Sequence, residues 1–238
     1  GRAGSGKTYT CIAEIAARLQ KAPMGPPLLL VLPDQATFQM ERAVVQALPS
    51  RGFVRLRVLS FKRLALAILA EVGGLARPAL TQTGRQMLLR SLLHEHSEDL
   101  QVFDRSARQP GFVSELETML REMAQCGHSP RDAAGAARRL PDTAAKQKLE
   151  DLALLWEAYR KALAPRHADP DAYLTTATEK GLASALLRDA EVWVDGFASF
   201  TPQEHRMLHM LLRQTRKLHV ALCLDPDSWP ELSGRVGE

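Results

Sequence analysis

The sequence predicts an α/β fold, a parallel sheet interrupted by a helical insertion. Three observations carry this. Apolar runs and amphipathic stretches alternate in β-α-β-α order between residues 28 and 72, which is the pattern of a parallel sheet with helical crossovers. From Thr81 to about Ala164 every segment has helical spacing and no strand signal appears. Strand signals then return at Glu191–Asp195 and His219–Leu224. The expected boundaries are an α/β part over 1–74 and 169–238, with an inserted all-helical subdomain over 75–168, long enough to form its own core.

The elements follow in order. Gly1-Arg2-Ala3-Gly4-Ser5-Gly6-Lys7-Thr8 matches the phosphate-binding loop G-x-x-x-x-G-K-[ST] without a gap. A helix is expected from Lys7 to about Leu19, with Ile12, Ile15, Ala16 and Leu19 on one face. Leu28 to Leu32, ended by Pro33, is a continuous apolar run and fits a strand covered on both sides. Asp34 is the expected N-cap of a helix reaching about Leu48. Val54–Leu59 forms the next strand, and Ser60 caps a helix that runs to about Val72. In the insertion, Met87, Leu88, Leu92 and Leu93 make one apolar stripe. Leu116, Met119, Leu120 and Met123 make a second, and Leu149, Leu152, Trp156, Tyr159 and Leu163 a third. Gln109-Pro110-Gly111 and Ser129-Pro130 punctuate them. Two short helices lie between Asp169 and about Arg188. Thr201-Pro202-Gln203-Glu204 opens another helix with a capping-box pattern. A strand is also expected ahead of Gly1, and the missing initiator Met favours a truncated sequence.

Composition narrows the class. Hydrophobic residues make up 45% and charged residues 24%, ordinary for a globular protein. No apolar run is long enough to span a bilayer, so no membrane role is expected, and the widely spaced cysteines point to a reducing, cytoplasmic setting. Cys11, Cys126 and Cys223 are far apart, which argues against a disulfide framework or a zinc site. They read as small buried hydrophobes. The net charge of +4 permits nucleic-acid binding without requiring it. Arg138-Arg139 and Arg213, Arg216 and Lys217 read as solvated basic faces, with phosphate contact as the alternative. His94 and His96 read as a solvated helix end.

The chemistry concentrates at the first loop, which marks a P-loop NTPase. Glycines let the main chain approach a phosphate, and successive amides form a nest for its oxygens. Lys7 supplies a mobile charge near the β- and γ-phosphates, and Thr8 a hydroxyl for Mg²⁺. The positive end of the helix dipole points at the same anion. A carboxylate at the end of a neighbouring strand must complete the metal site, and Asp195 stands there. In nucleotide motors the next residue is a Glu that orients the attacking water; here it is Gly196. ATP binding is therefore expected, and efficient hydrolysis is not. Glu204 is the remaining candidate base, with a purely capping role as the alternative. Asp225, closing the last strand, is either a γ-phosphate-side group or a turn residue.

Four ordered stretches together resemble the N-terminal part of the AddB family, the B subunits of bacterial AddAB helicase–nucleases. They are the loop at 1–8, Val31 to Arg42, Val58 to Ala65, and Val194 to Glu204. Gln109-Pro110-Gly111-Phe112 extends the likeness into the insertion. The resemblance implies a RecA-like, superfamily 1 helicase-like domain, an AddA-like partner subunit, and DNA ends as substrate in double-strand break repair by homologous recombination. It implies that Gln35, Thr37 and Ser60 face single-stranded DNA, with capping and packing as their competing role. The family's nuclease and its four-cysteine iron–sulfur cluster lie far downstream, so neither is expected in this segment. Its Gly after the strand Asp matches Gly196. Two other classes compete: a P-loop small-molecule phosphotransferase with a helical lid, and a partner-binding scaffold that keeps a vestigial nucleotide site.

Overall fold

The structure, a computed structural model, describes residues 4–49, 52–75, 80–164, 169 and 172–223. The chain divides into two compact units, residues 1–73, 174–200 and 204–238, and residues 74–173 with 201–203.

The first unit is built on a four-stranded sheet in the order β2-β1-β3-β4, with β1 Leu28–Val31, β2 Leu56–Leu59, β3 Glu191–Val194 and β4 Lys217–Val220. All three pairings are parallel, as the apolar runs predict. β1 is central and buried along its whole length, and each fully buried Leu there is worth about 1.5–3 kcal/mol. β4 is an edge strand whose exposure runs exposed, intermediate, intermediate, exposed. The reading of His219–Leu224 placed this strand too late. The ladder takes in Lys217, and Ala221 to Cys223 follow it; Leu224 lies outside the described residues.

Helix α1, Lys7–Lys21, buries Ile15, Ala16 and Leu19 against Leu28, Leu30 and Trp193. Asp34 does not cap the following helix. A 3-10 turn occupies Asp34–Ala36, and α2 begins at Thr37 and runs to Ala47. Helix α3, Phe61–Val72, is capped by Ser60, whose hydroxyl accepts from the Arg63 amide at 3.3 Å.

In the second unit the helices are α4 Gln82–Glu95, α5 Phe103–Ala107, α6 Phe112–Gln125, α7 Pro130–Ala137 and α8 Ala144–Leu163. Small polar residues start three of them. Thr81 accepts from Gly84 N, Thr143 accepts from Lys146 N, and Ser129 with Asp132 forms a capping box. The core joins Leu89, Leu92 and Leu93 to Leu116, Leu120, Leu155 and Trp156. The first stripe is rotated from its sequence reading: Met87 is 69% exposed and Leu89 is fully buried. Asp151, buried in this core, accepts the backbone amides of Gln101, Val102 and Phe103 at 2.8–3.0 Å. One carboxylate thereby satisfies the chain entering α5.

The chain continues through α9 Tyr173–Lys180, α10 Ala185–Arg188 and α11 Pro202–Gln214. Glu71 of α3 receives the Ser184 hydroxyl at 2.6 Å and the Ala185 amide at 2.7 Å, which holds the start of α10. Among the described residues no helix is long and apolar enough to cross a membrane.

Candidate phosphate-binding site

In open parallel sheets a ligand binds outside the carboxyl ends of the strands, where the strand order switches direction. Here the switch lies between β1 and β3, since the chain leaves β1 toward β2 and β3 toward β4. The loop preceding α1, Asp195 and Pro33 meet the chemistry at that end.

Gly4 and Gly6 have φ of 76° and 79°. A residue with a Cβ is strained in that left-handed region, so both glycines are needed to turn the loop into α1. Gly6 is the N-cap of the helix without any side-chain cap bond, and its carbonyl accepts the Thr10 amide at 2.9 Å. An uncapped helix start of this kind, with the positive end of its dipole toward the loop, is the type of place where proteins hold an anion. Lys7 follows, its ammonium 3.4 Å from Ser5 Oγ and 3.7 Å from Cys223 Sγ. Gly1, Arg2 and Ala3 lie outside the described residues, as does Asp225.

Thr8 and Asp195 come together. The Thr8 hydroxyl donates to Asp195 Oδ2 at 2.6 Å across 187 residues of chain. Asp195 is 3% exposed, and its own amide donates to Val31 O at 3.1 Å, continuing the β1–β3 ladder by one step. A hydroxyl and a carboxylate oxygen converging at the mouth of a sheet are a hard-oxygen pair of the kind Mg²⁺ takes. The residues present therefore fit a magnesium–nucleotide group, with Thr8 and Asp195 as its protein oxygens.

The residue after Asp195 has a structural reason to be glycine. Gly196 has φ 82°, and a Cβ there would stand 3.3 Å from Pro33 Cδ. Both the backbone and the end of β1 oppose a side chain at the position where motors carry their Glu. Glu204 stands in the first turn of α11. Of the three residues expected to face DNA, Gln35 is exposed in the 3-10 turn. Thr37 donates its hydroxyl to Asp34 O at 3.0 Å. Ser60 is buried at the head of α3.

Two supports of the site escaped the sequence reading. Phe61, Phe197 and Phe200 form an aromatic cluster with ring centroids 5.1–6.2 Å apart, which fastens the loop after Asp195 to α3. The signal was two Phe three apart in an otherwise small and polar loop. On the sheet, the Trp193 indole donates to Glu14 at 3.1 Å and stacks on His219 at 4.8 Å. Glu191 bonds both Arg18 and His219, at 2.6 and 3.0 Å. Burial raises the Glu191 carboxyl, and the Arg18 and His219 hydrogen bonds and charges outweigh it, holding the group below its ordinary value. This network ties α1 to β3 and β4, and thereby fixes the loop relative to Asp195.

The cysteines are not the small buried hydrophobes that their residue type suggests. All three are free; Cys11 is half-buried, and Cys126 and Cys223 are exposed. Burial pushes the Cys11 thiol up to about 11, with the Asp195 and Glu14 carboxylates adding to the effect. At pH 8 roughly one Cys11 in a thousand is then thiolate, the nucleophilic form. Brief iodoacetamide treatment at pH 8 is expected to carboxamidomethylate Cys126 and Cys223 and to spare Cys11 until denaturant is added. Peptide mass spectrometry checks this, and equal labelling of Cys11 in the native protein would contradict the packing of α1 near Asp195. Among the described residues no group of three or more His, Cys, Asp or Glu stands in a metal-holding arrangement.

The chain is 45% identical over 238 residues to the B subunit of the ATP-dependent helicase/deoxyribonuclease of Heliobacterium modesticaldum, covering 97% of this chain and 19% of that protein. Its likeness to the protein of the same name from Desulforudis audaxviator is 45% over 232 residues, 96% of this chain and 20% of the relative. To the Bacillus subtilis protein of that name it is 36% over 235 residues, again 96% and 20%. The chain thus spans about a fifth of the length of the curated relatives it matches. The family model described as ADDB, N-terminal matches residues 1–234, and the chain belongs to that family.

Proposed function

We propose that this chain is an ATP-binding, superfamily 1 helicase-like segment of a helicase–nuclease subunit that processes DNA ends in double-strand break repair by homologous recombination. The observation that carries the nucleotide reading is the 2.6 Å contact between Thr8 and Asp195, which joins the two halves of a phosphate-binding site. The relatives are named as B subunits of an ATP-dependent helicase/deoxyribonuclease, which supports an AddA-like partner, a DNA substrate and a cytoplasmic setting.

In this reading the P-loop NTPase site works through positioning. Backbone amides of the glycine-rich loop cradle the phosphates, and Lys7 neutralises the β- and γ-oxygens. Thr8 and Asp195 would hold Mg²⁺, which supplies charge neutralisation across the phosphates when bound. Asp195, pinned at the end of the ladder, orients Thr8. With Gly196 next in the chain, no carboxylate follows Asp195 to orient water, so turnover is slow unless Glu204 acts as the base. Nucleotide then serves as a binding signal more than as fuel. Gln35, exposed beside α2, is the most available of the proposed DNA contacts, and Thr37 and Ser60 shape the helix starts beside it. Nuclease chemistry and an iron–sulfur cluster belong to other parts of such a protein.

A partner-binding scaffold with a vestigial site is the second reading, favoured by Gly196. One experiment separates the two: ATP binding and turnover by the full-length protein, intact and with Lys7→Ala, with and without a duplex DNA end. Mg²⁺-dependent binding that is lost with Lys7→Ala, at low turnover in both, is the expected result. No ATP binding by the intact protein would leave the scaffold reading. DNA-stimulated turnover that requires Lys7 would show that another group, Glu204 first, supplies the base.

A further inference from the structure

At the opposite end of the sheet the structure carries a second concave surface. A pocket of about 640 Å³ opens at the amino ends of the strands, between the end of α1 and the starts of β1, β3 and β4. Five cationic side chains line it, against the two carboxylates Asp189 and Glu191. Glu191 is already taken by Arg18 at 2.6 Å. Arg55 is engaged with backbone, donating to Pro26 O and Arg18 O at 2.8 Å each, and so stapling the end of α1 to the loop before β1. Lys21, Arg216 and Lys217 are different. All three are exposed, and none has a side-chain ion pair or hydrogen bond among the described residues. The backbone amides along this edge are meanwhile satisfied, with Leu28 N on Arg55 O, Glu191 N on Pro27 O, and Arg216 N on Ala190 O. Any ligand must therefore be held by side chains. Between the cations the wall is apolar, made by Ala22, Pro26, Pro27 and Leu28.

We propose that this pocket docks an acidic peptide segment of a partner protein, one apolar side chain seated on the Ala22–Leu28 wall and flanking carboxylates paired with Lys21, Arg216 and Lys217. The composition selects this ligand. A nucleic-acid backbone needs a continuous basic track, whereas here Asp189 and Glu191 interrupt the cations and the wall is apolar. A small apolar centre within a charged, arginine-containing rim is the anatomy of a protein interface. The volume fits one or two side chains of a peptide and lies within the usual range of ligand pockets. Arg216 and Lys217, before and at the start of β4, and Lys21 at the end of α1 line the same pocket as the apolar wall, so carboxylates flanking an apolar anchor find cations contributed by two different elements. The surface lies at the far end of the strands from Asp195, and its occupant leaves the phosphate loop free.

The test uses the full-length protein and two fluorescein-labelled probes, a twelve-residue peptide alternating Glu and Leu and a twelve-nucleotide single-stranded DNA. Anisotropy titrations at low and at 0.5 M salt are made on the intact protein, on Arg216→Glu/Lys217→Glu, on Lys21→Glu, and on Lys7→Ala. The expected result is peptide binding that weakens at high salt, at least tenfold with the double charge reversal and several-fold with Lys21→Glu. Lys7→Ala leaves it unchanged. Circular dichroism and melting verify that each variant is folded; the Lys21→Glu arm stands alone if the double variant is not. No peptide binding by the intact protein overturns the proposal, as does binding indifferent to both reversals. A DNA probe that loses affinity with these substitutions, while the peptide does not, overturns it in favour of a nucleic-acid contact.

Discussion

Replacing Asp195 by asparagine is expected to abolish the Mg²⁺-dependence of ATP binding. The variant keeps an oxygen for the Thr8 hydroxyl, which now lies 2.6 Å from the carboxylate, and it keeps the volume of a side chain that is 3% exposed. What disappears is the negative charge. A charge-assisted contact in such a place is worth about 1.5–3 kcal/mol, or about 10- to 100-fold in affinity. Without metal the sign reverses: the carboxylate repels the phosphates, so Asp195→Asn binds metal-free ATP as well as the intact protein or better. Titration of a fluorescent ATP analogue in Mg²⁺ and in EDTA reads both arms. A variant that retains the full Mg²⁺ enhancement would remove Asp195 from the metal site. Uniform weakening in both buffers would mean that the substitution had merely disturbed the end of β3.

That residue was legible because its setting is local. Apolar or aromatic residues followed by Asp describe a buried parallel strand with a carboxylate at its carboxyl end, and Gly4, Gly6, Lys7 and Thr8 describe the loop by spacing alone. The reason for Gly196 was not legible. Its φ of 82° and the approach of Pro33 depend on how β1 and β3 terminate side by side, which no window of sequence contains. The same holds for Glu14, Trp193, His219, Glu191 and Arg18. Each is unremarkable alone, and the network exists only once α1 lies across β3 and β4.

The errors have physical causes too. β4 is an edge strand, so its ladder tolerates Lys217 at its first position, and the apolar run from Val220 to Leu224 drew the reading past its end. Met87, Leu88 and Leu89 are consecutive apolar residues, and periodicity alone does not select which of them point inward. Asp34 precedes a helix start, but the chain first makes a 3-10 turn, moving the cap along the chain. The cysteines were read from composition, which carries no information on exposure.

The largest stability effect is expected from Glu117 in the helical unit. Its side chain is 3% exposed, and its Oε1 lies 2.8 Å from Nη2 of Arg85, itself 11% exposed. The approach is off the hydrogen-bonding direction, so neither Glu117 oxygen has a hydrogen-bond partner among the described residues, nor does Arg85 Nε. Leu89, Leu120, Ala124, Trp156 and Tyr159 line the pocket around the pair, with Arg121 and Asp169 also on its wall. The charges are thus held by Coulomb attraction in a low-dielectric setting, with little hydrogen bonding to offset their desolvation. Removing one partner leaves the other buried and unpaired. Glu117→Ala is expected to lower the unfolding free energy by about 3–5 kcal/mol, and Arg85→Ala by a similar amount. The double replacement Arg85→Met/Glu117→Leu fills the same space without charge. It is expected to recover all of that loss, and by the precedent of buried pairs to add about 1–4 kcal/mol. The coupling between the sites is then far from additive. Urea unfolding followed by circular dichroism, analysed as a double-mutant cycle, measures each step. A single Glu117→Ala variant of unchanged stability would show that the pair is not held charged in the core, and a double variant as damaged as the sum of the singles would show that the ion pair, rather than the packing of α4, α6 and α8, holds this unit together.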